Sequence, residues 1–164
     1  LQGERSTLLV QSAGLEVGDF AHIYVDGEDV SPNQRGYNLA VLSPQGDIQI
    51  ASFDTHLDPD ASKQLAETIE AIPEGHIVAV AVADEASINL GEEAIVALRS
   101  VGAAGDLREK FRWSHAVIGE KGAEPGSALE ALDGLRPVGV AVGPPVTEPT
   151  VAAAVEWIRF QSVD

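Results

Sequence analysis

Hydrophobic and polar residues alternate in the first third of the chain in the way that typifies β-strands. Residues 20–26 alternate, residues 37–43 form an apolar run, and residues 47–53 return after a Ser-Pro-Gln-Gly turn. An Asp26-Gly27 pair at the end of the first run is a hairpin signal. This part of the sequence therefore predicts antiparallel strands joined by tight turns.

The middle of the chain changes to helical periodicity. Apolar residues three or four positions apart predict one helix near residues 60–72 and a second near residues 91–101. We expect Asp58 to cap the first helix. Asn89, with Glu92 three residues on, has the spacing of a capping box for the second.

Further strands are predicted around and after the second helix. Residues 77–83 form a continuous apolar run, typical of a strand buried on both faces. Residues 111–118 predict another strand, with its regular part near 114–120, and residues 138–142 predict one more. The segment 151–160 fits a helix by its alanines and a strand by its Val, Trp, Ile and Phe content.

Together these elements predict an α+β fold, with compact β-sandwich-like antiparallel or mixed sheets and two to three short helices. The sequence has no internal repeat and no domain break, so we expect one domain over residues 1–164. The predicted core residues are Leu39, Val41, Val80, Val82, Leu98 and Val117.

Charge and composition narrow the class of function. The formal net charge of −16 would repel phosphate backbones and anionic lipid, which excludes nucleic acid and electrostatic membrane docking as functions. No apolar run is long enough to span a bilayer. The absence of methionine and the start at Leu1 predict that the chain is a piece of a longer protein.

The sequence carries no catalytic or cofactor signature. Cysteine is absent, and G-x-S-x-G, phosphate-loop and paired-histidine motifs are absent too. The acidic clusters at residues 26–29 and 54–60 do not follow the calcium-loop pattern. We therefore expect no cofactor and no metal, while residue spacing alone leaves open a Ser-His-Asp set that the fold would bring together. Asp84 and Glu85 leave the most apolar strand, which fits a binding site and an ordinary loop start equally well.

Five motifs stand in an order and spacing that resemble a known domain family. They are GYNLAVL at 36–42, FDT at 53–55, VADEAS at 82–87, ALRSVG at 97–102 and FRWSHAVIGEKG at 111–122. Over residues 36–122 the chain thus resembles the interleukin-like epithelial–mesenchymal-transition inducer domain. That domain also forms the stem of a vertebrate protein O-mannose N-acetylglucosaminyltransferase.

The resemblance implies a β-sandwich-like fold, no catalysis and a carbohydrate ligand. An acidic residue and an arginine serve the sugar in the glycosyltransferase stem, and the matching positions here are Asp84 and Arg112. With Glu85 and Trp113 they form the predicted sugar-binding set. A carboxylate and a guanidinium match neighbouring hydroxyls, and an aromatic ring covers the apolar face of a sugar.

Three positions depart from the family pattern: Trp113 replaces an aspartate, His115 a tryptophan and Ala86 a glycine. In a regular strand Trp113 and Arg112 would point to opposite faces, so Trp113 fits core packing as well as ligand contact. The cysteines of the secreted animal members are missing. Together with the acidic, alanine-rich composition, this favours a bacterial or archaeal source.

The predicted function is a non-catalytic glycan-binding module in an extracytoplasmic part of a larger membrane or surface protein, such as a glycosyltransferase. Its partner would be a glycan or a glycoprotein. The alternative is a protein-interaction or signalling module without a sugar ligand, as the secreted animal members are described.

Overall fold

The computed structural model describes residues 6–143. Its strands are β1 (Leu8–Gly14), β2 (Phe20–Val25), β3 (Glu28–Asp29), β4 (Gly36–Leu42), β5 (Ile48–Phe53), β6 (Ile77–Asp84), β7 (Ser114–Glu120), β8 (Leu129–Asp133) and β9 (Val138–Val142). Its helices are α1 (Ala61–Glu70) and α2 (Glu92–Arg99), with a 3₁₀ turn at Leu15–Val17. The strands predicted near 20–26, 37–43, 47–53, 77–83, 114–120 and 138–142 are confirmed, as are both helices. The predicted segment 151–160 lies outside the described residues.

Hydrogen bonding joins the strands into a mixed sheet that folds over itself. One layer runs β5-β4-β6-β7-β8 with antiparallel neighbours, and β3, β2, β1 and β9 form a second antiparallel layer. The layers join where Ala13 and Gly14 pair in parallel with Ala83 and Asp84. This architecture, with α1 and α2 on one face, confirms the predicted α+β sandwich-like fold.

The alternation of side chains along β6 explains how both of its faces are covered. Its valines lie in the core cluster that includes α1 and α2, and its alanines lie in the cluster formed with β1 and β2. The small alanine side chains let the second strand layer approach closely. Burial on both faces is confirmed for Val78, Ala79, Val80, Ala81, Val82 and Ala83, and all six predicted core residues are buried.

Both helices begin differently from the sequence prediction. The N-cap of α1 is Asp60, and Asp58 lies outside the helix, where its side chain accepts a hydrogen bond from the Asp60 N–H at 2.9 Å. The N-cap of α2 is Gly91, so the predicted capping box is wrong. The Asn89 amide instead donates to the His56 carbonyl at 2.7 Å, because a partner from another loop replaces the local one.

At one end of the sheet β6 and β7 separate, and β1 enters the gap between them. The two strands pair as far as Ala81 opposite Ala116. Beyond that point the buried Ser12 hydroxyl donates to the Val82 carbonyl at 2.5 Å and accepts from the His115 N–H at 2.8 Å. One side chain therefore supplies the hydrogen bonds that the separated strands no longer give each other.

Gly14 allows the closest backbone approach at this end. A Cβ atom at position 14 would lie 1.8 Å from the Arg112 carbonyl oxygen. The Gly14 N–H also donates to Ser114 Oγ at 3.1 Å. Since Gly14 pairs with Asp84, the backbones of Asp84 and Arg112 reach the same glycine.

Truncation of a core residue tests the placement of α2. Leu98 is fully buried and Val96, on the same helix, is 52% exposed. We expect Leu98→Ala to lower the free energy of unfolding by about 2–5 kcal/mol, because it removes buried methyl groups and leaves a cavity. Val96→Ala should change it by less than about 0.5 kcal/mol. Urea denaturation measures both, and a small loss for Leu98→Ala would place that helix face in solvent.

Candidate functional site

The four predicted site residues lie at the end of the sheet where β6 and β7 separate. Asp84 is the last residue of β6 and Glu85 follows it, while Arg112 and Trp113 directly precede β7. Asp84, Arg112 and Trp113 are partly exposed, and Glu85 is buried. The structure therefore brings all four to one region and gives them different access to solvent.

Asp84 lies where the chain turns out of β6. Its φ of 57° is in the left-handed region, which aspartate and asparagine tolerate better than most residues. The hydrogen bond to Asp54 is the main reason that the pKa of Arg35 is raised, and the charge of Asp84 adds to this increase. Within residues 6–143 the Asp84 carboxylate forms no ion pair, so its oxygens are available to a ligand.

Arg112 lies in a turn and not in the predicted strand 111–118, because β7 begins only at Ser114. Its φ of 60° breaks the extended conformation beside Gly14. The Arg112 Nη1 donates to Glu16 Oε1 at 2.8 Å. Its guanidinium carbon also lies 4.7 Å from the centroid of the Phe111 ring, within cation–π range. The turn thus holds the guanidinium between a carboxylate and an aromatic face.

Two aromatic residues flank Arg112 and differ in accessibility. Trp113 packs against the helix-side core, and its ring lies so close to Gly134 that a Cβ there would be 2.5 Å from Nε1. Lys110 Nζ lies 5.7 Å from the centroid of the indole. Phe111, in contrast, is 51% exposed. The ring that a ligand can reach most freely is therefore Phe111, which the sequence analysis did not select although it begins the last motif.

Glu85 is buried with its side chain only 1% exposed, and its oxygens hold a loop together. Oε1 accepts from the Ser87 N–H at 2.6 Å and from the Ser87 hydroxyl, and Oε2 accepts from the Ile88 N–H at 3.3 Å. His56 Nδ1 lies 2.8 Å from Oε2. Burial acts to raise the pKa of Glu85, but the hydrogen bonds from Ser87 and His56 outweigh it and lower the pKa.

A second ion pair, which the sequence analysis missed, borders this region. Arg35 binds Asp54 through Nε and Nη2, the latter at 2.7 Å from Oδ2. Asp54 Oδ1 also accepts from the N–H groups of His56 and Leu57, at 3.2 and 3.1 Å. The hydrogen bond from Arg35 is the main reason that the pKa of Asp54 is lowered. The sequence signals were the FDT motif and the acidic cluster at 54–60, both of which contain Asp54.

His115, one of the departures from the family pattern, is buried and bound to a second, partly buried carboxylate. His115 Nε2 lies 2.7 Å from Glu130 Oε1. Glu130 also accepts from the N–H groups of Ala104 and Gly105, at 2.8 and 3.0 Å. The pair therefore fixes the loop after α2 to β8.

The accessible groups of the site are a carboxylate, a guanidinium and an aromatic ring. Such a set can accept and donate hydrogen bonds to hydroxyls and cover an apolar face. Across residues 6–143 the histidines and carboxylates form no group of three that could hold a metal ion. In the same range no helix has the length and apolarity needed to cross a bilayer.

Comparison with known proteins identifies relatives. Residues 35–123 match the family model described as interleukin-like EMT inducer. A human protein named cell migration-inducing and hyaluronan-binding protein is 35% identical over 98 residues, which are 58% of this chain and 7% of that protein. A zebrafish cell surface hyaluronidase is 32% identical over 127 residues, which are 76% of this chain and 9% of that protein. The chain thus spans less than a tenth of either relative, and its predicted prokaryotic source stays a prediction.

The buried carboxylate of Glu85 predicts a pH-dependent contribution to stability. Because folding lowers the pKa of Glu85, its contribution is present above the ordinary value of 4.5 and is lost as pH falls through the folded-state pKa. We expect Glu85→Gln to lower the free energy of unfolding at pH 7 by about 1–3 kcal/mol, since hydrogen bonds to a charged group are lost. The difference from wild type should shrink between pH 5 and pH 3 in urea denaturation series.

The matched control for this prediction is Glu67→Gln. Glu67 lies on the exposed face of α1, 3.6 Å from Lys63 Nζ, and the substitution removes the same charge. Its effect should stay below about 1 kcal/mol. A Glu85→Gln effect that stays constant down to pH 3 would contradict the prediction.

Proposed function

Because the chain belongs to the interleukin-like EMT inducer family, we propose that it is a non-catalytic glycan-binding module whose site contains Asp84 and Arg112. One observation carries the proposal. Asp84 and Arg112 approach Gly14 from two elements, and Arg112 stacks on the exposed ring of Phe111. A carboxylate, a guanidinium and an aromatic ring at one accessible end of a rigid sheet suit a sugar better than any reaction chemistry.

Each group has a separate task in this proposal. Asp84 accepts hydrogen bonds from sugar hydroxyls, and the Arg112 N–H groups that Glu16 does not use donate to them. Phe111 covers the apolar face of the pyranose ring. Glu85 and Trp113 support the site from the protein interior. Glu85 holds the loop after Asp84, and Trp113 packs against the helix-side core next to the turn that contains Arg112.

The names of the relatives agree with this class of ligand and with a location outside the cytoplasm. One relative is named for binding hyaluronan, which is a glycan, and another for its place at the cell surface. The domain is accordingly an extracytoplasmic module of a larger membrane or surface protein, with a glycan or glycoprotein as partner. A glycosyltransferase parent is one form that such a protein would take.

Titration with chitotetraose, an uncharged N-acetylglucosamine oligomer, tests the proposed site. We expect the backbone amides around residues 84 and 112 to shift in two-dimensional NMR spectra. Asp84→Asn and Arg112→Gly should each weaken binding tenfold or more, because each removes a charged hydrogen-bonding group. Asparagine and glycine both tolerate the positive φ found there, so stability should change by no more than about 1 kcal/mol.

Asp47→Asn is the matched control for Asp84→Asn. Asp47 lies in the turn after β4, at the opposite end of the sheet from Asp84, and the substitution removes the same charge. Its affinity for chitotetraose should equal that of the wild type within twofold. An absence of amide shifts at millimolar chitotetraose in the wild type would overturn the proposed function.

A different surface favours the alternative, a protein-interaction module without a sugar ligand. Within the described residues β5 pairs only with β4, and Ile50 on β5 is 55% exposed. A partner that added a strand or covered this side chain would bind there. That function gives no response to chitotetraose and protects the amides of β5 from hydrogen exchange when the partner binds, so the two functions map to different groups of residues.

A further inference from the structure

We propose that the site selects an uncharged glycan and discriminates against anionic polysaccharides of the hyaluronan type. This inference rests on the proposed glycan-binding function and adds the charge class of the ligand. Its basis is that the arginines near the site are already paired with carboxylates of the domain.

Each arginine in residues 6–143 forms an ion pair with a carboxylate of the same chain. The pairs are Arg35–Asp54 at 2.7 Å, Arg99–Glu92 at 3.9 Å, Arg108–Asp106 at 2.5 Å, Arg112–Glu16 at 2.8 Å and Arg136–Asp133 at 2.7 Å. The charge of Arg112, the arginine of the site, is therefore compensated by Glu16 before any ligand binds. Its remaining N–H groups can still donate to hydroxyls, which need no net charge.

The lysines do not replace these charges. Lys63 pairs with Glu67 on α1, and Lys121 donates to Ser100 Oγ at 2.9 Å near the opposite end of β7. Lys110 lies over the indole of Trp113 and lowers the pKa of Asp106, whose main partner is Arg108. Lys110 forms no ion pair within residues 6–143, and its charge lowers the pKa of Asp106 less than Arg108 does.

The carboxylates around the site outnumber its cations. Asp84 has no ion-pair partner in the described part of the chain, and Glu16 lies directly on the guanidinium of Arg112. The formal net charge of −16 adds a long-range field of the same sign. Hyaluronan carries one carboxylate in each disaccharide unit, so it would have to displace Glu16 or accept repulsion from Asp84.

The remaining surface of the site is apolar, which suits a neutral sugar. Phe111 is exposed beside Arg112, and Leu15 is exposed next to Glu16. Exposed aromatic and aliphatic groups can cover the C–H face of a pyranose ring, while Asp84 accepts from its hydroxyls. Neither contact requires a charge on the ligand.

A matched pair of ligands tests the discrimination. We would titrate the wild type with a hyaluronan tetrasaccharide and with the same tetrasaccharide after reduction of its carboxyl groups to alcohols, with chitotetraose as a second neutral ligand. At 20 mM NaCl the dissociation constant of the anionic tetrasaccharide should be at least tenfold larger than that of its reduced form. The difference should narrow at 200 mM NaCl, because salt screens exposed charges.

Glu16→Gln tests whether the paired arginine sets this selectivity. The substitution releases the Arg112 guanidinium, so the ratio of affinity for the anionic tetrasaccharide to that for its reduced form should rise at least threefold. Glu67→Gln removes the same unit charge at the Lys63 pair on α1 and should leave the ratio unchanged. An unchanged ratio in Glu16→Gln would overturn the assignment.

The remaining outcomes separate this inference from the function on which it rests. Equal binding of the anionic and reduced tetrasaccharides at 20 mM NaCl, or tighter binding of the anionic one, would overturn the inference. Binding of chitotetraose in the same experiment would leave the proposed function intact. Failure of all three oligosaccharides to bind at millimolar concentration would overturn both.

Discussion

The geometry of the candidate site depends on one buried hydroxyl, Ser12 Oγ, which bridges β6 and β7 where they separate. Without it the Val82 carbonyl and the His115 N–H would lie unpaired in a place that water does not reach, at a cost of about 1–3 kcal/mol each. The hydroxyl thereby lets β1 end inside the sheet, with Gly14 between Asp84 and Arg112. The positions of the candidate-site backbones are thus set by the core and not by a free loop.

The elements that sequence could predict are those whose signal is local. The alternation of valine and alanine along β6 marks a strand covered on both faces, and the structure covers both. The strand β8 (Leu129–Asp133) carries no such signal, because its mixed Leu, Glu and Ala residues favour a helix as readily. The turn at residues 111–113 was also missed, since it is imposed by a contact between Gly14 and Ser114, 100 residues apart.

The candidate site was predictable only where the exit from an apolar strand or the family resemblance marked a position. Asp84 and Arg112 were selected in this way, but the ion pair between Arg112 and Glu16 spans 96 residues and leaves no local signal in the sequence. Glu85 resembled Asp84 in the sequence, yet it is buried because Ser87 and His56 supply its hydrogen bonds. The two adjacent acids therefore differ in burial because of their tertiary partners, which residue spacing in the sequence does not reveal.

Within residues 6–143 one edge of β5 has no neighbouring strand, and this affects how separate copies of the domain behave toward each other. Edge strands in natural proteins are commonly guarded by lysine, proline or a bulge, and β5 contains neither residue type. Electrostatic repulsion opposes edge-to-edge association here, because each copy carries a formal charge of −16. The isoelectric point near 4.4 removes that repulsion in mildly acidic surroundings. The colloidal stability of the domain is therefore a property of its medium, and acidification would favour strand-to-strand association through β5.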